Sequence, residues 1–136
     1  MKRKFSTKWK SSKRPGKQRK YLAKAPIHIR RKFFSVNLSK ELRKKYQLRN
    51  IPIRKNDVVK VMKGEFKKKQ GKVIRILSKE LKIYIEGIQV KKMDGSKADI
   101  PFKSSNLQIV ELNTEDKKRL KEQKTDSKME EKSKNK

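Results

Sequence analysis

The sequence predicts a mainly β protein: one small antiparallel barrel, preceded by a basic extension of short helices and followed by a charged helix and tail. Three observations predict it. Apolar residues concentrate in the middle of the chain, 25 of 62 over residues 51–112, against 16 of 50 before them and 2 of 24 after. In that middle stretch apolar and polar residues alternate in short runs, the two-residue period of half-buried strands. The 136 residues carry 43 Lys plus Arg against 14 Asp plus Glu, a formal net charge of +29 that is unevenly spread.

Residues 1–24 read as an extended basic arm. Residues 1–50 hold 19 basic residues and one acid, Glu41, a net of +18. A free segment of that charge repels itself and is expected to stay largely unfolded in isolation. The run Lys13–Lys20, which includes Arg14, Lys17, Arg19 and Lys20, reads either as a phosphate-binding strap or as a nuclear-localisation patch.

Two short basic helices are expected within residues 25–50. Pro26 suits a first helical position, where its missing N–H costs nothing. Ile29 and Phe33 then share one face, with Arg30, Arg31 and Lys32 on the other. Ser39 is the expected N-cap of the second helix, in which Leu42 and Tyr46 lie four apart and Arg43, Lys44 and Lys45 point outward. Phe33, Phe34, Leu42 and Tyr46 read as docking groups for a core rather than as base-stacking groups.

Residues 51–112 are the expected barrel. Val59 and Val61 alternate with their neighbours, residues 72–77 are β-branched, and Leu81, Ile83 and Ile85 alternate with Lys82, Tyr84 and Glu86. Asp94-Gly95 predicts a two-residue hairpin between Gln89–Met93 and Ser96–Ile100. Pro101 places its strand at a sheet edge or ends it. A last strand is expected over Leu107–Leu112. Five or six short strands in so small a span favour closure into a barrel, which removes exposed edges. In residues 113–136, Thr114 is the expected cap of a helix reaching about Gln123, with Glu115 and Asp116 in its first turn; a disordered charged tail is expected beyond it.

The composition excludes several functions. No apolar run approaches the roughly 18 residues of a membrane-spanning helix. No apolar stretch of about 7–15 residues follows the basic N-terminus, which argues against a secretory signal. Without Cys there is no disulfide framework or thiolate metal site, and a cytoplasmic location is the default. One His and scattered acids (Asp57, Glu65, Glu80, Glu86, Asp94, Asp99 and Glu111) show no catalytic or metal-ligand spacing, so neither enzyme nor cofactor is expected. The excess of cations points to a polyanion. Nucleic acid is favoured over anionic membrane, because the first twenty residues lack a broad apolar face.

The most informative segment runs from Asp57 to Val73. It reads as strand, tight loop, strand, with Gly64 and Gly71 where positive φ or close backbone approach is needed. Its loop presents Lys63, Lys67, Lys68 and Lys69 on a rigid rim, and fixed lysines lose less entropy on binding phosphate than free ones. Asp57, Val59, Val61, Gly64, Lys67, Gly71 and Val73 match the pattern of the KOW motif, and the segment resembles the SH3-like barrels that carry it. Two positions depart from the pattern: Asn56 stands where Gly commonly precedes the Asp, and Lys68 replaces a loop Gly. Asn tolerates positive φ but Lys does so poorly, so the turn at Lys68 is expected to differ.

The flanking segments Pro15–Tyr21, Ala25–Lys32, Leu38–Tyr46, Pro52–Lys55, Tyr84–Ile88 and Pro101–Leu107 narrow the resemblance. Over roughly residues 13–120 the chain is similar to the universal KOW ribosomal protein family of the large subunit, numbered twenty-four in bacteria and twenty-six in eukaryotes, in its archaeal and eukaryotic branch. The resemblance implies a ribosome-bound, cytoplasmic protein that binds large-subunit rRNA, supports assembly and lies near the polypeptide exit tunnel. Its partners would be rRNA and neighbouring large-subunit ribosomal proteins, with no membrane and no small-molecule substrate.

Carried over by position, the resemblance places Lys17, Arg19, Lys20, His28, Arg30, Arg31, Lys32, Arg43, Lys44, Arg54 and Lys55 at basic sites expected to meet RNA. For His28 a hydrogen bond within a first helical turn is the competing expectation. Two other functions stand beside this one: a KOW-type transcription elongation factor, and a module that recruits a protein at the ribosome surface.

Overall fold

The computed structural model describes residues 5, 6, 8, 11–116, 119 and 120. The elements run α1 (Pro15–Lys24), α2 (Ile27–Phe33), β1 (Ser35–Leu38), α3 (Lys40–Tyr46), β2 (Asn50–Pro52), β3 (Val58–Val61), β4 (Gln70–Leu77), β5 (Lys82–Lys91), β6 (Lys97–Phe102), a 3-10 turn (Ser104–Asn106) and β7 (Leu107–Glu111). The strands form one seven-stranded sheet in the order β2-β1-β7-β3-β4-β5-β6. The expected all-antiparallel arrangement is corrected at one ladder: β1 runs parallel to β7, pairing Asn37 with Gln108 and Leu38 with Ile109.

The core is built by alternation. Val36, Leu38, Val59, Val61, Ile83, Ile85, Leu107 and Ile109 are all buried, while the residues between them face outward or are half covered. The buried residues of all seven strands, with Phe34 and Ile53, form one cluster. Only short helices accompany the sheet among the described residues, so its inner face is buried by the sheet curling onto itself. This is a barrel-like fold in which β2 and β6 remain edges, with no ladder joining them among the described residues.

β5 makes the curl possible. The two runs expected at 81–86 and 89–93 are one strand with a bulge at Gly87 (φ 75°), where the pairing with β6 shifts register. Between the Tyr84–Pro101 and Gln89–Asp99 pairs, four β5 residues lie opposite one β6 residue, and the three extra residues bend the strand. The backbone at Glu86 thereby passes so close over Gly71 that an added Cβ would sit 2.5 Å from the Glu86 carbonyl oxygen. Close approach, not positive φ, explains Gly71. Pro101 lies in β6, an edge strand, where its missing N–H interrupts no ladder.

Three further expectations are corrected. The hairpin at Asp94-Gly95 has a three-residue loop: Gly95 N–H donates to the Lys92 carbonyl (3.0 Å), Lys92 N–H to that of Ser96 (2.8 Å), and Gly95 takes φ 84°. That is a turn followed by a left-handed glycine, the common three-residue solution. Residues 15–24, expected to be extended, form α1, with Pro15 in the first turn and Lys24 in the last. Its Lys, Gln, Arg, Leu and Ala residues are strong helix formers, a propensity that net charge does not carry. Thr114 caps no helix at its expected place. Residues 113–116 are irregular, and Arg119 and Leu120 are helical. The rest of the expected helix and the tail lie outside the described residues.

Candidate nucleic-acid interface

The basic side chains are displayed by elements fixed to the core through apolar and backbone contacts. α2 ends on Phe34, whose side chain is buried and whose carbonyl accepts from Ile53 N–H (3.1 Å). The preceding carbonyl, of Phe33, accepts from the Ser104 hydroxyl (3.1 Å). So anchored, α2 leaves His28, Arg31 and Lys32 exposed or partly exposed.

α1 buries no residue of its own and is held by aromatic contacts. Tyr21 packs on Phe33 (ring centroids 6.0 Å apart) and on Phe5 (4.8 Å). The half-buried Arg30 reaches from α2 to donate to the Ala23 carbonyl. Arg14, Lys17, Arg19 and Lys20 stay exposed.

The loop between β3 and β4 is rigid by construction. Lys68 N–H donates to the Val61 carbonyl (2.8 Å), Val61 N–H to that of Lys69 (2.9 Å), and Lys67 N–H to that of Gly64 (3.1 Å). Phe66 anchors it edge-on against Phe102 at 6.4 Å, and the Lys69 ammonium lies over the Phe66 ring at 5.0 Å. Gly64 has φ 91° and Lys68 φ 74°. The lysine that replaces the loop glycine thus keeps the glycine's left-handed backbone, and so does Asn56 at φ 66°. The expectation of a different turn at Lys68 is corrected: the hydrogen bond from Lys68 N–H to Val61 holds the conformation. Lys63, Lys67, Lys68 and Lys69 are exposed.

Loop and helix meet through the 3-10 turn. Ser104 holds the end of α2, and the Asn106 carbonyl accepts from Met62 N–H (2.8 Å) at the loop's entrance. The 3-10 turn thus ties the end of α2 to the entrance of the lysine loop, and Arg31, Lys32, Lys103 and the loop lysines are all exposed on the elements so joined. The remaining predicted cations lie on other elements. Arg43, on α3, is half-buried, and its Nε donates to the Leu38 carbonyl (2.9 Å), whereas Lys44 is exposed. Ser39 caps α3 as expected, accepting from Leu42 N–H (3.3 Å). Arg54 and Lys55 lie in the β2–β3 turn, at the other end of β3 from the lysine loop.

Charge pairing divides these side chains. The ion pairs among the described residues are Arg54–Asp116, Lys82–Glu80 and Arg119–Asp57. Of the cations singled out from the sequence, only Arg54 is in one of them. The others have no carboxylate of the described residues within 4 Å, so they are not held in an ion pair there.

Asp57 has a different role from its loop neighbours. It is wholly buried, and the Arg119 guanidinium grips it with two bonds of 2.7 Å. Sequence reasoning missed Arg119. The available signal was its identity: every other cation after Arg75 is a lysine, and arginine is the residue suited to a two-pronged carboxylate contact.

A family model that describes the eukaryotic L26 ribosomal proteins and their archaeal L24 counterparts matches residues 12–124. The chain is also 45% identical over 115 residues to the large ribosomal subunit protein uL24 of Korarchaeum cryptofilum (strain OPF8), covering 83% of this chain and 88% of that one. A match over most of both chains leaves no room for a shared motif alone, and this chain therefore belongs to the family of eukaryotic L26 and archaeal L24 ribosomal proteins, structural and non-enzymatic components of the ribosome's large subunit in the cytoplasm.

Proposed function

We propose that the protein binds large-subunit rRNA through its exposed cations, supports assembly of the subunit, and sits near the polypeptide exit tunnel beside neighbouring ribosomal proteins. The observation that carries this reading is the set of exposed cations on α2, at Lys103 and on the β3–β4 loop, none of which is in an ion pair with a carboxylate of the described residues. The barrel is of the SH3-like KOW type in this reading, supported by Gly64, Gly71 and the lysine loop at the motif's positions.

The mechanism is scaffolding. Folded RNA is recognised mainly by shape, phosphate and 2′-hydroxyl. Arg31, Lys32, Lys63, Lys67 and Lys68 supply point and fork contacts to phosphate, and each contact releases condensed counterions. The residues before Ser35 extend the grip, with Lys17, Arg19 and Lys20 on one helix and His28 at the start of the next. The barrel fixes their direction.

Sucrose-gradient sedimentation of the tagged full chain tests the reading. It predicts co-migration with large subunits and release to the top of the gradient after RNase. Migration with a protein complex that survives RNase would replace it with a protein-recruiting role.

A further inference from the structure

Arg54 is the one predicted RNA contact that a described carboxylate already holds, and its setting is specific. The Arg54 Nη1 lies 2.5 Å from the Asp116 Oδ2, with both side chains about half exposed (46% and 47%). Around them is an open cleft of about 280 Å³ lined by Arg54, Lys55, Asn56, Asn113, Glu115 and Asp116. Two cations and a neighbouring amide share the cleft with two carboxylates, Glu115 and Asp116, of which Asp116 is paired with Arg54.

The segment bearing Asp116 is held in place from both sides. Asn113 N–H donates to the Asp57 Oδ1 (3.0 Å), and Arg119 grips the same carboxylate. Arg54 N–H donates to the Asp57 Oδ2 (2.8 Å), so one buried acid aims both the cation and the segment that covers it. Glu115 lines the same cleft but is not in an ion pair with Arg54 or Lys55; it accepts from the Asn113 amide (3.1 Å). A guanidinium fork accepts carboxylate and phosphate alike. Half-exposed ion pairs add little stability, so a phosphate can displace this carboxylate without unfolding the segment.

We propose that Arg54, Lys55 and Asn56 form a phosphate subsite for the RNA backbone, covered in the free protein by Asp116, whose carboxylate an incoming phosphate displaces. This rests on the rRNA-binding reading. The cover selects against weak anions and non-specific strands, because only a ligand already gripped by the exposed cations brings a phosphate to the cleft at high local concentration.

The test is a double-mutant cycle in the full chain, with binding to a large-subunit rRNA transcript read by filter retention and folding checked by thermal melt. Asp116→Asn is expected to tighten binding about threefold. Glu115→Gln makes the same change in net charge away from Arg54 and is expected to do less. In an Arg54→Ala background the two substitutions should become equivalent, each leaving only the general effect of one removed negative charge. Equal effects of Asp116→Asn and Glu115→Gln in the native background would overturn the proposal, as would an Asp116→Asn effect that still exceeds that of Glu115→Gln without Arg54. Failure of the unsubstituted chain to bind the transcript at all would overturn the rRNA reading itself, and the subsite with it.

Discussion

Asp57 and Arg119, 62 positions apart in sequence, form a buried two-pronged ion pair in which each guanidinium Nη lies 2.7 Å from a carboxylate oxygen. The same carboxylate accepts from Arg54 N–H and Asn113 N–H, and the Arg119 fork also donates to the Asn113 and Pro52 carbonyls (both 3.1 Å). The acid at the head of the loop motif is therefore a clasp between the β2–β3 turn and the segment after β7.

Breaking that clasp on one side leaves a charge buried without a partner. Asp57→Asn or Arg119→Met is expected to cost about 3–5 kcal/mol in urea denaturation. The double substitution should cost clearly less than the two single losses together, since it removes both charges. Additive losses would show that the two side chains do not act as a pair.

Gly71 and Gly64 call for opposite explanations, and substitutions separate them. Gly71→Ala drives a Cβ into the β5 backbone at Glu86 and should destabilise by about 1–3 kcal/mol. Gly64 has open space around it, so Gly64→Ala meets only its left-handed φ, at a cost of about 1–2 kcal/mol. A Lys68→Gly variant of Gly71→Ala should recover little, because crowding is not relieved by a looser turn.

Lys68 itself stores strain. Removing a side chain from φ 74° gains about 1–2 kcal/mol, and the added freedom of glycine in the unfolded chain takes back about 0.4–1 kcal/mol. Lys68→Gly is thus expected to stabilise slightly in a thermal melt while weakening RNA binding through the lost charge. A clear loss of stability would mean that the Lys68 stem contributes packing that outweighs the strain.

Much of this was legible in the residues. The alternation at Val59–Val61 and Ile83–Ile85, the cap at Ser39 and the edge position of Pro101 follow from local rules and hold in the structure. What local rules could not reach is long-range. β1 lies among basic residues and becomes a strand only by pairing with β2 and β7. α1 depends on Tyr21 meeting Phe33, and Arg119 on a carboxylate 62 positions away. Among the site residues, the sequence marked the cations but not their partners. Arg30, Arg43 and Arg54 are partly occupied within the protein, a distinction that composition does not carry.

That distinction yields a prediction. Arg31→Ala with Lys32→Ala should weaken rRNA binding and leave the circular dichroism spectrum unchanged, since both side chains are exposed and no described carboxylate pairs with them. Arg30→Ala should instead loosen α1, visible as faster amide exchange over residues 15–24, because it removes the donor to Ala23.

The hairpin tip offers a pH reading. The hydroxyl and N–H of Ser96 both donate to the Asp94 carboxylate and hold its pKa below the ordinary 3.8. A carboxyl depressed on folding supports the fold above its unfolded pKa and loses that support as pH falls through the lowered value. NMR titration should show the Asp94 pKa rising toward 3.8 in Ser96→Ala. An unmoved titration would remove the Ser96 hydroxyl as the cause and leave the N–H, which the substitution keeps.

The dependence of rRNA affinity on salt reaches furthest into the account, since open cations on a rigid frame are its core. If on the order of ten phosphates are neutralised, the logarithm of the binding constant should fall with the logarithm of salt concentration at a slope of about −7 to −9. An affinity for large-subunit rRNA that barely changes between low and high salt would contradict it.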